Sequence, residues 1–177
     1  QSQSNLVCRL LLEKKNALTA AVMFAGPQAQ AQNEPPIKIG MISSQTGPFA
    51  AVGRQMEAGV RLYMQLHGDT VAGRKIELIV KDDTGVADTT RRLAQELAVN
   101  DKVNFLVGFT LTPGALATAP IATQSKTPMI VMLGATSIIP DRSPYIVRSM
   151  LSVAQVGVPF GEWIQQQGAK SIVTLVS

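Results

Sequence analysis

The sequence predicts an α/β fold built on a doubly wound, mostly parallel sheet. Segments with strand-like apolar runs alternate five times with segments of helical periodicity. The run Met129–Leu133 is apolar throughout, as expected for a parallel strand that is covered on both faces. No segment recurs at a fixed period, which argues against solenoids and propellers. Right-handed crossovers between parallel strands then place helices against the faces of one sheet.

The first predicted unit is a strand, a polar turn and a helix. Ile37–Ile42 is the apolar strand, and the turn after it is rich in Ser, Thr, Gly and Pro. The helix is predicted from Gly53 to Gln65. Its spacing places four apolar side chains on one face: Met56, Val60, Tyr63 and Met64. Such a unit opens many α/β sheets, in which ligands collect beyond the carboxyl ends of the strands.

The second unit combines an alternating strand with an amphipathic helix. In Lys75–Lys81 the apolar residues Ile76, Leu78 and Val80 alternate with Glu77 and Ile79, which fits a strand nearer the sheet edge than the first one. The helix that follows is predicted to begin with Asp88 as its cap and to reach about Val99. Its inward side chains are predicted to be Leu93, Ala94 and Leu97.

The remaining strands and helices continue this alternation. In chain order they are predicted as a strand at Val103–Val107, a helix at Gly114–Gln124, the strand at Met129–Leu133, a short strand at Tyr145–Arg148, a helix at Val153–Gln167 and a strand at Ser171–Ser177. Ser152 is expected to cap the last helix. Gly168 is expected to end it, because glycine readily adopts the left-handed conformation that terminates helices.

Composition and charge favour a globular protein without a nucleic-acid-binding surface. Of the 177 residues, 46% are hydrophobic and 16% are charged, which is typical of a folded domain. The net charge is +4, and setting residues 1–31 aside leaves 13 basic and 11 acidic side chains. Without a run of basic residues there is no electrostatic case for nucleic acid as a partner.

Residues 1–31 have the organisation of a leader that contains a secretory signal peptide. Lys14 and Lys15 precede the apolar stretch Ala17–Gly26, and the small-residue pattern Ala29-Gln30-Ala31 offers a cleavage site. The apolar stretch is about ten residues, whereas a membrane-spanning helix needs roughly 20. The sequence therefore predicts an exported, periplasmic protein.

Cysteine and histidine are too scarce to support thiolate or imidazole chemistry. Cys8, the only cysteine, lies upstream of the apolar stretch, so an exported chain would have neither disulfides nor thiolate metal sites. His67, the only histidine, has no partner cluster and is expected to be a solvated side chain near a helix end. No metal ion or cofactor is predicted.

Three loops that follow predicted strands carry the candidate binding groups. They are Ser43–Val52, Gly108–Pro113 and Gly134–Ser137, and in a parallel sheet all three lie at the same edge. Each combines glycine with Ser or Thr and is expected to open a helix, whose first N–H groups and dipole favour a carboxylate or phosphate. Thr112 and Thr136 are placed to add a hydroxyl donor, and a role as simple helix caps is an equally good interpretation.

The loops contain no catalytic motif, and no enzymatic activity is predicted. Gly47–Gly53 lacks the Lys-Ser/Thr of a phosphate-binding loop, and no G-x-G-x-x-G follows the first strand. A G-x-S-x-G elbow is absent, and His67 lies away from all three loops. The pair Asp82-Asp83 invites a metal or acid–base role, but before Thr84-Gly85 it is more typical of a turn and cap.

Five segments in a fixed order carry a family resemblance. They read IKIG…TGPFAAVG, GRKIELIVKDD, NDKVNFLVGFTLTPGALATAPIA, TPMIVMLGATS and YIVR. Together they resemble the extracytoplasmic solute-binding proteins of ABC importers, specifically the leucine/isoleucine/valine-binding type. The resemblance extends from Ile37 to Ser177. It implies a type I periplasmic-binding fold, in which two α/β lobes joined by hinge strands close on a ligand.

The resemblance also implies a domain organisation. Residues 1–31 are the leader, 32–36 a linker, 37–148 the first ligand-binding lobe and 149–177 the incomplete start of a second lobe. A strand at the very end would be a bare sheet edge, which folded domains avoid. We therefore expect a partial chain that binds weakly and is prone to aggregate, and a monomer for the complete form.

Seven candidate site residues follow from the resemblance. Thr112 matches the hydroxyl residue that holds the ligand carboxylate, and Ala135 and Thr136 match the pair that holds the ligand's ammonium and carboxylate by backbone and hydroxyl. The loop Phe49–Val52 matches the segment that touches the ligand side chain, although Val52 replaces an aromatic found in some members. The set is Phe49, Ala50, Val52, Thr112, Gly134, Ala135 and Thr136.

These residues lead to one expected function and two alternatives. We expect a non-enzymatic solute-binding protein that takes a branched-chain or other amino acid, or a small carboxylate (aromatic ones included), for an ABC permease in the inner membrane. A ligand-sensing domain of a receptor or regulator can use the same fold. A Rossmann-like enzyme would need a cofactor fingerprint that the loops lack.

Overall fold

The computed structural model describes residues 34–173, so the predicted signal peptide lies outside the described residues. Residues 36–71 and 75–173 form one compact unit, which contains the sheet and all the candidate site residues. Residues 72–74 group instead with the segment that ends at Pro35. There the Arg74 side chain donates from Nε to the Pro35 carbonyl at 2.8 Å.

The sheet has six strands in the order β2-β3-β1-β4-β5-β6. Their bounds are β1 Ile37–Ser43, β2 Thr70–Val71, β3 Arg74–Asp82, β4 Phe105–Gly108, β5 Met129–Val131 and β6 Ile146–Arg148. β1 pairs in parallel with both β3 and β4, and β5 pairs in parallel with β4 and β6. The predicted mostly parallel sheet is confirmed, and the chain order of its strands reverses at β1. Such a switch point opens a crevice beyond the strand ends.

Within residues 34–173 three α-helices connect strands and a fourth follows β6, with bounds α1 Ala50–His67, α2 Ala87–Gln95, α3 Thr112–Ser125 and α4 Val153–Gln166. A π-helical turn, Glu96–Asn100, continues α2, and a 3-10 turn, Pro140–Arg142, lies between β5 and β6. Among the described residues none of these helices combines the length and the apolarity that crossing a membrane requires.

The core lies where α2 and α3 pack on the centre of the sheet. The predicted inward residues Leu93, Ala94 and Leu97 are buried, as expected. Contact between the two helices depends on Gly114, because a Cβ at this position would lie 2.7 Å from the Thr90 hydroxyl. The largest fully buried apolar side chains are Phe109, Met41, Ile42, Leu97, Leu106, Met129, Ile139 and Val131. Burying one such side chain stabilises the fold by about 1.5–3 kcal/mol.

Several predicted helix starts are wrong by a few residues. α1 begins at Ala50 rather than Gly53, and α3 begins at Thr112 rather than Gly114. The predicted cap Asp88 is also wrong, since Val86 occupies the N-cap and Asp88 lies within the first turn. There its negative charge still complements the helix dipole.

The other departures concern short segments. Tyr63 is 65% exposed, so the inward face of α1 is narrower than predicted and consists of half-buried Met56, Val60 and Met64. β5 ends at Val131 instead of Leu133. Residues 171–173 adopt no strand, and the rest of the predicted final strand lies outside the described residues.

The start and end of α4 agree with the sequence. The Ser152 hydroxyl accepts from the Gln155 amide at 3.2 Å, and the Gln155 side chain accepts from the Ser152 amide at 2.8 Å. This reciprocal pair is a capping box. Gly168 follows the helix with φ 73°, as predicted for a glycine that terminates a helix.

One glycine at the end of β4 is expected to be irreplaceable. Gly108 has φ 110°, and a Cβ there would lie 2.2 Å from the Ile42 carbonyl oxygen. Gly108→Ala should therefore lower the free energy of unfolding by at least about 2–3 kcal/mol, through strain and displacement of β1. Chemical denaturation followed by circular dichroism measures this change.

Gly59→Ala provides the matched control for that substitution. Gly59 lies inside α1, and a Cβ there would meet nothing within 4 Å. Because alanine is favoured over glycine in a helix, this variant should gain about 0.5–1 kcal/mol. Equal effects of the two alanines would contradict the strain assigned to Gly108.

Candidate ligand-binding site

The loops after β1 and β4 meet at the switch point of the sheet. Ser44 follows β1, and its amide donates to the Thr110 hydroxyl at 3.1 Å. Both residues are buried. The Phe109 amide donates to the Ile42 carbonyl at 2.8 Å, which extends the β1–β4 pairing beyond the strand. These bonds fix the first two loops relative to each other.

The backbone turns sharply where β4 ends. Gly108 and Phe109 both have positive φ, 110° and 65°, and the Phe109 side chain is fully buried. A bulky residue with positive φ is uncommon, and such strain concentrates at ligand sites. The turn directs Thr110 back toward β1 and places Thr112 at the first position of α3.

Asp83 ties a third loop to this pair. Its side chain is 2% exposed and accepts three hydrogen bonds, from the Ser44 hydroxyl at 2.7 Å, the Gly85 amide at 2.9 Å and the Thr90 hydroxyl at 2.9 Å. A buried carboxylate is stable only when its oxygens are so satisfied. Asp83 is therefore engaged in the scaffold, in agreement with the turn predicted for Asp82-Asp83.

Asp82 holds the first loop in the same way but nearer the solvent. Its carboxylate accepts from the Gln45 amide at 2.8 Å, the Thr46 hydroxyl at 2.6 Å and the Thr84 amide at 2.8 Å. Partial burial opposes ionisation, but the hydroxyl and amide donors outweigh it and lower the pKa of Asp82.

Thr112 and Thr136 lie side by side at the exposed edge above these loops. Their hydroxyl oxygens are 2.9 Å apart, and the pair is exposed. Thr112 does not cap α3, because Leu111 occupies the N-cap without a side-chain bond. One of the two hydroxyl hydrogens forms the hydrogen bond between the threonines, and the other is free to donate to a ligand. The pair therefore offers a hydroxyl donor to solvent.

Backbone amides add to this donor set. α3 begins at Thr112, so the amides of Thr112 and Gly114 precede its first internal hydrogen bond, which Ala115 donates to Leu111. In the neighbouring loop, no acceptor among the described residues receives the amides of Ala135 and Thr136. Such amides and the positive end of a helix favour a carboxylate or phosphate.

The other predicted site residues differ in their exposure. Phe49 is 41% exposed and lies beside Gly85, which also approaches the Leu111 side chain. Val52 and Ala135 are half-buried, and Val52 belongs to α1. Ala50 and Gly134 are buried. The edge thus combines two hydroxyls, several amides and the apolar side chains of Phe49 and Leu111.

Sequence reasoning did not single out the residues that support this edge. Ser44, Thr110 and Leu111 were included only within their loops. Arg148 was read only as part of a strand, yet its guanidinium donates to the Thr136 carbonyl at 2.8 Å. The one available signal was position, because Ser44 and Thr110 each follow a predicted parallel strand.

The fold defines a class of protein, the α/β lobes with a mostly parallel sheet, and hydroxyl and amide donors lie at the switch point of this sheet. The family model described as periplasmic binding protein matches residues 36–177, and the chain belongs to this family. The Leu/Ile/Val-binding protein homolog 6 of Brucella abortus is 39% identical over 166 residues. That match covers 93% of this chain and 42% of the relative, so the chain spans less than half the length of the curated relatives it matches.

Two solved structures from Rhodopseudomonas palustris are similar to this chain. An ABC-transporter solute-binding protein of strain BisB5, in complex with 3,4-dihydroxybenzoic acid, is 53% identical with a TM-score of 0.74. The match covers 76% of this chain and 37% of the solved chain. A second solute-binding protein, in complex with 4-hydroxybenzoate, is 37% identical with a TM-score of 0.75 and covers 77% of this chain and 37% of its own.

The lowered pKa of Asp82 predicts an acid-sensitive first loop. A carboxyl whose pKa is lower in the folded state stabilises the fold above its ordinary value of 3.8, and this contribution disappears as the pH falls through the folded pKa. Asp82→Asn should therefore melt at a lower temperature than the parent at about pH 6, with the difference narrowing toward about pH 3. Thermal melts across this range test it.

Asp141→Asn is the control for that series. Asp141 is exposed, and its carboxylate makes no hydrogen bond or ion pair with any residue in the described range 34–173. It should melt with the parent at every pH. A difference between Asp82→Asn and the parent that is constant across the pH range would contradict the ionic role of Asp82.

Proposed function

We propose that this chain is the first lobe of a periplasmic solute-binding protein that delivers a small aromatic carboxylate to an ABC importer. The observation that carries the proposal is the exposed Thr112–Thr136 hydroxyl pair at the start of α3. A carboxylate at this edge receives a hydroxyl donor, amide donors and the positive end of a helix dipole. Each of these groups favours an anion over a neutral solute.

The two carboxylates at the end of β3 are already engaged by the scaffold. Asp82 and Asp83 are the carboxylates in the loops of this edge, and each already accepts three hydrogen bonds. Neither is available to pair with the ammonium of an amino acid. Phe49 and Leu111 flank Gly85 and supply apolar surface for a ring.

Similarity supports the same class of ligand. The structure that is 53% identical to this chain contains 3,4-dihydroxybenzoic acid, and a second relative contains 4-hydroxybenzoate. The curated relatives are named as Leu/Ile/Val-binding homologues. That name makes a branched-chain amino acid the second candidate, with its ammonium held by residues outside this lobe.

Export, the permease partner and the absence of catalysis belong to the same proposal. The Brucella match covers 93% of the chain and so extends upstream of the first strand into the predicted leader. The similar structures are solute-binding proteins of ABC transporters. We propose the same role here, without catalysis and with hinge closure burying the ligand.

A ligand panel tests the proposal directly. The protein, in the longest form that its gene encodes, is titrated calorimetrically with 4-hydroxybenzoate, 3,4-dihydroxybenzoate, leucine and 4-hydroxybenzamide. We expect the two benzoates to bind, the amide to bind at least about tenfold more weakly because it has no charge, and leucine to bind more weakly than either acid. Preferential binding of leucine would transfer the assignment to amino acids, and no binding of any acid would refute it.

Substitution of the two threonines tests the site itself. Thr112→Val and Thr136→Val keep the side-chain shape and remove the hydroxyl, so each should weaken benzoate binding by about tenfold, the effect of one charge-assisted hydrogen bond. Isothermal titration gives the affinities, and a thermal melt of each ligand-free variant shows whether it is folded.

Thr123→Val is the matched control. Thr123 lies on the same helix, three turns and ~16 Å from Thr112, and its hydroxyl bonds to the Ala119 carbonyl and Ser143. Its affinity should equal that of the parent protein. Parent-like binding by both Thr112→Val and Thr136→Val would place the ligand elsewhere.

A further inference from the structure

The crossover that leaves the sheet, residues 148–153, is hydrogen-bonded to the loop that carries Thr136. Arg148 is the last residue of β6, and its Nη1 donates to the Thr136 carbonyl at 2.8 Å while its Nε donates to the Met150 carbonyl at 3.0 Å. One planar guanidinium thus bridges a carbonyl of the site loop and a carbonyl of the crossover. Arginine suits this role because its donors are fixed in a rigid fork.

A second tie runs between the same two segments. The amide of Val153, the first residue of α4, donates to the Ala135 carbonyl at 2.9 Å. The Ser149 amide donates to the Val131 carbonyl at 3.0 Å, which holds the crossover along the end of β5. The carbonyls of Ala135 and Thr136 are therefore both directed at the crossover.

These ties determine where the amides of the site loop point. In a trans peptide the C=O and the following N–H point in opposite directions, and the described residues contain no cis peptide. Holding the Ala135 carbonyl against Val153 turns the Thr136 amide away from the crossover. Holding the Thr136 carbonyl against Arg148 does the same for the Ser137 amide.

Resting on the proposed function, we propose that Arg148 is a positioning residue for the anion site. It orients the Thr136–Ser137 peptide toward the ligand and couples the site loop to the crossover that leads into α4. Arg148 has no carboxylate partner among residues 34–173, so its charge also remains available to favour an anion nearby. Because the amides and the crossover share these bonds, binding an anion and fixing the crossover favour each other.

Two substitutions separate the bridge from the charge. Arg148→Met removes both, and Arg148→Lys keeps the charge but cannot span the two carbonyls with one rigid fork. Calorimetric titration with 4-hydroxybenzoate, on the longest form of the protein, should show both variants binding at least about tenfold more weakly than the parent. Parent-like binding by either variant would overturn the bridging role.

Arg142→Met is the matched control. Arg142 is exposed in the nearby 3-10 turn, and its side chain donates no hydrogen bond within the part of the chain that the structure describes. Its affinity for 4-hydroxybenzoate should equal that of the parent. If Arg142→Met lost as much affinity as the Arg148 variants, their effect would be explained by the loss of any positive charge near the site. That result would overturn the proposal.

Hydrogen exchange distinguishes a failure of this inference from a failure of the proposed function. Without ligand, Arg148→Met should speed amide exchange in a peptide covering residues 134–138 and leave a peptide from β1 unchanged, because Arg148 bonds to the site loop and the crossover and not to β1. That result supports the positioning role even if no benzoate binds. Unchanged exchange in residues 134–138 overturns it even if the parent protein binds benzoate tightly.

Discussion

The buried carboxylate of Asp83 is the constraint on which the candidate site depends. It gathers donors from the loop after β1, from its own turn and from α2, through Ser44, Gly85 and Thr90. Ser44 in turn donates its amide to Thr110 in the loop after β4. One carboxyl group thus joins its own turn and α2 to the loop after β1, 39 residues away in sequence. Removing it would leave buried donors without acceptors, which costs more than a typical hydrogen bond contributes.

The fold could be read from the sequence because its signals are local. Apolar runs and their alternation with helical segments are set by neighbouring residues, and the parallel order follows from general rules of chain connection. The first residues of the helices were harder to predict. α1 begins early where Gly53 lets the helix approach the Ser44 carbonyl. The cap assigned to Asp88 was wrong because α2 begins earlier than expected, at Ala87, with Val86 at the N-cap and no side-chain cap.

The approximate position of the candidate site could be predicted from the sequence. Parallel strands end at a common edge, so loops bearing Thr112 and Thr136 had to lie near each other. Their direct contact depends on the pairing of Gly108 with Val131, a register that no local pattern specifies. The bond from Ser44 to Thr110 spans 66 residues, and the bridge from Arg148 to Thr136 depends on where β6 ends. Only the packed chain reveals these long-range contacts.

The contact between the two threonines also limits how tightly this edge can bind an anion. The two hydroxyl oxygens lie 2.9 Å apart and share a single hydrogen bond, which leaves one hydroxyl hydrogen over. An anion at this edge therefore gains one hydroxyl hydrogen bond from the pair and not two. This lobe by itself therefore has a low affinity for an anion. Tight binding requires a second surface that encloses the ligand. Because a single surface holds an anion by few hydrogen bonds, the anion also leaves it easily.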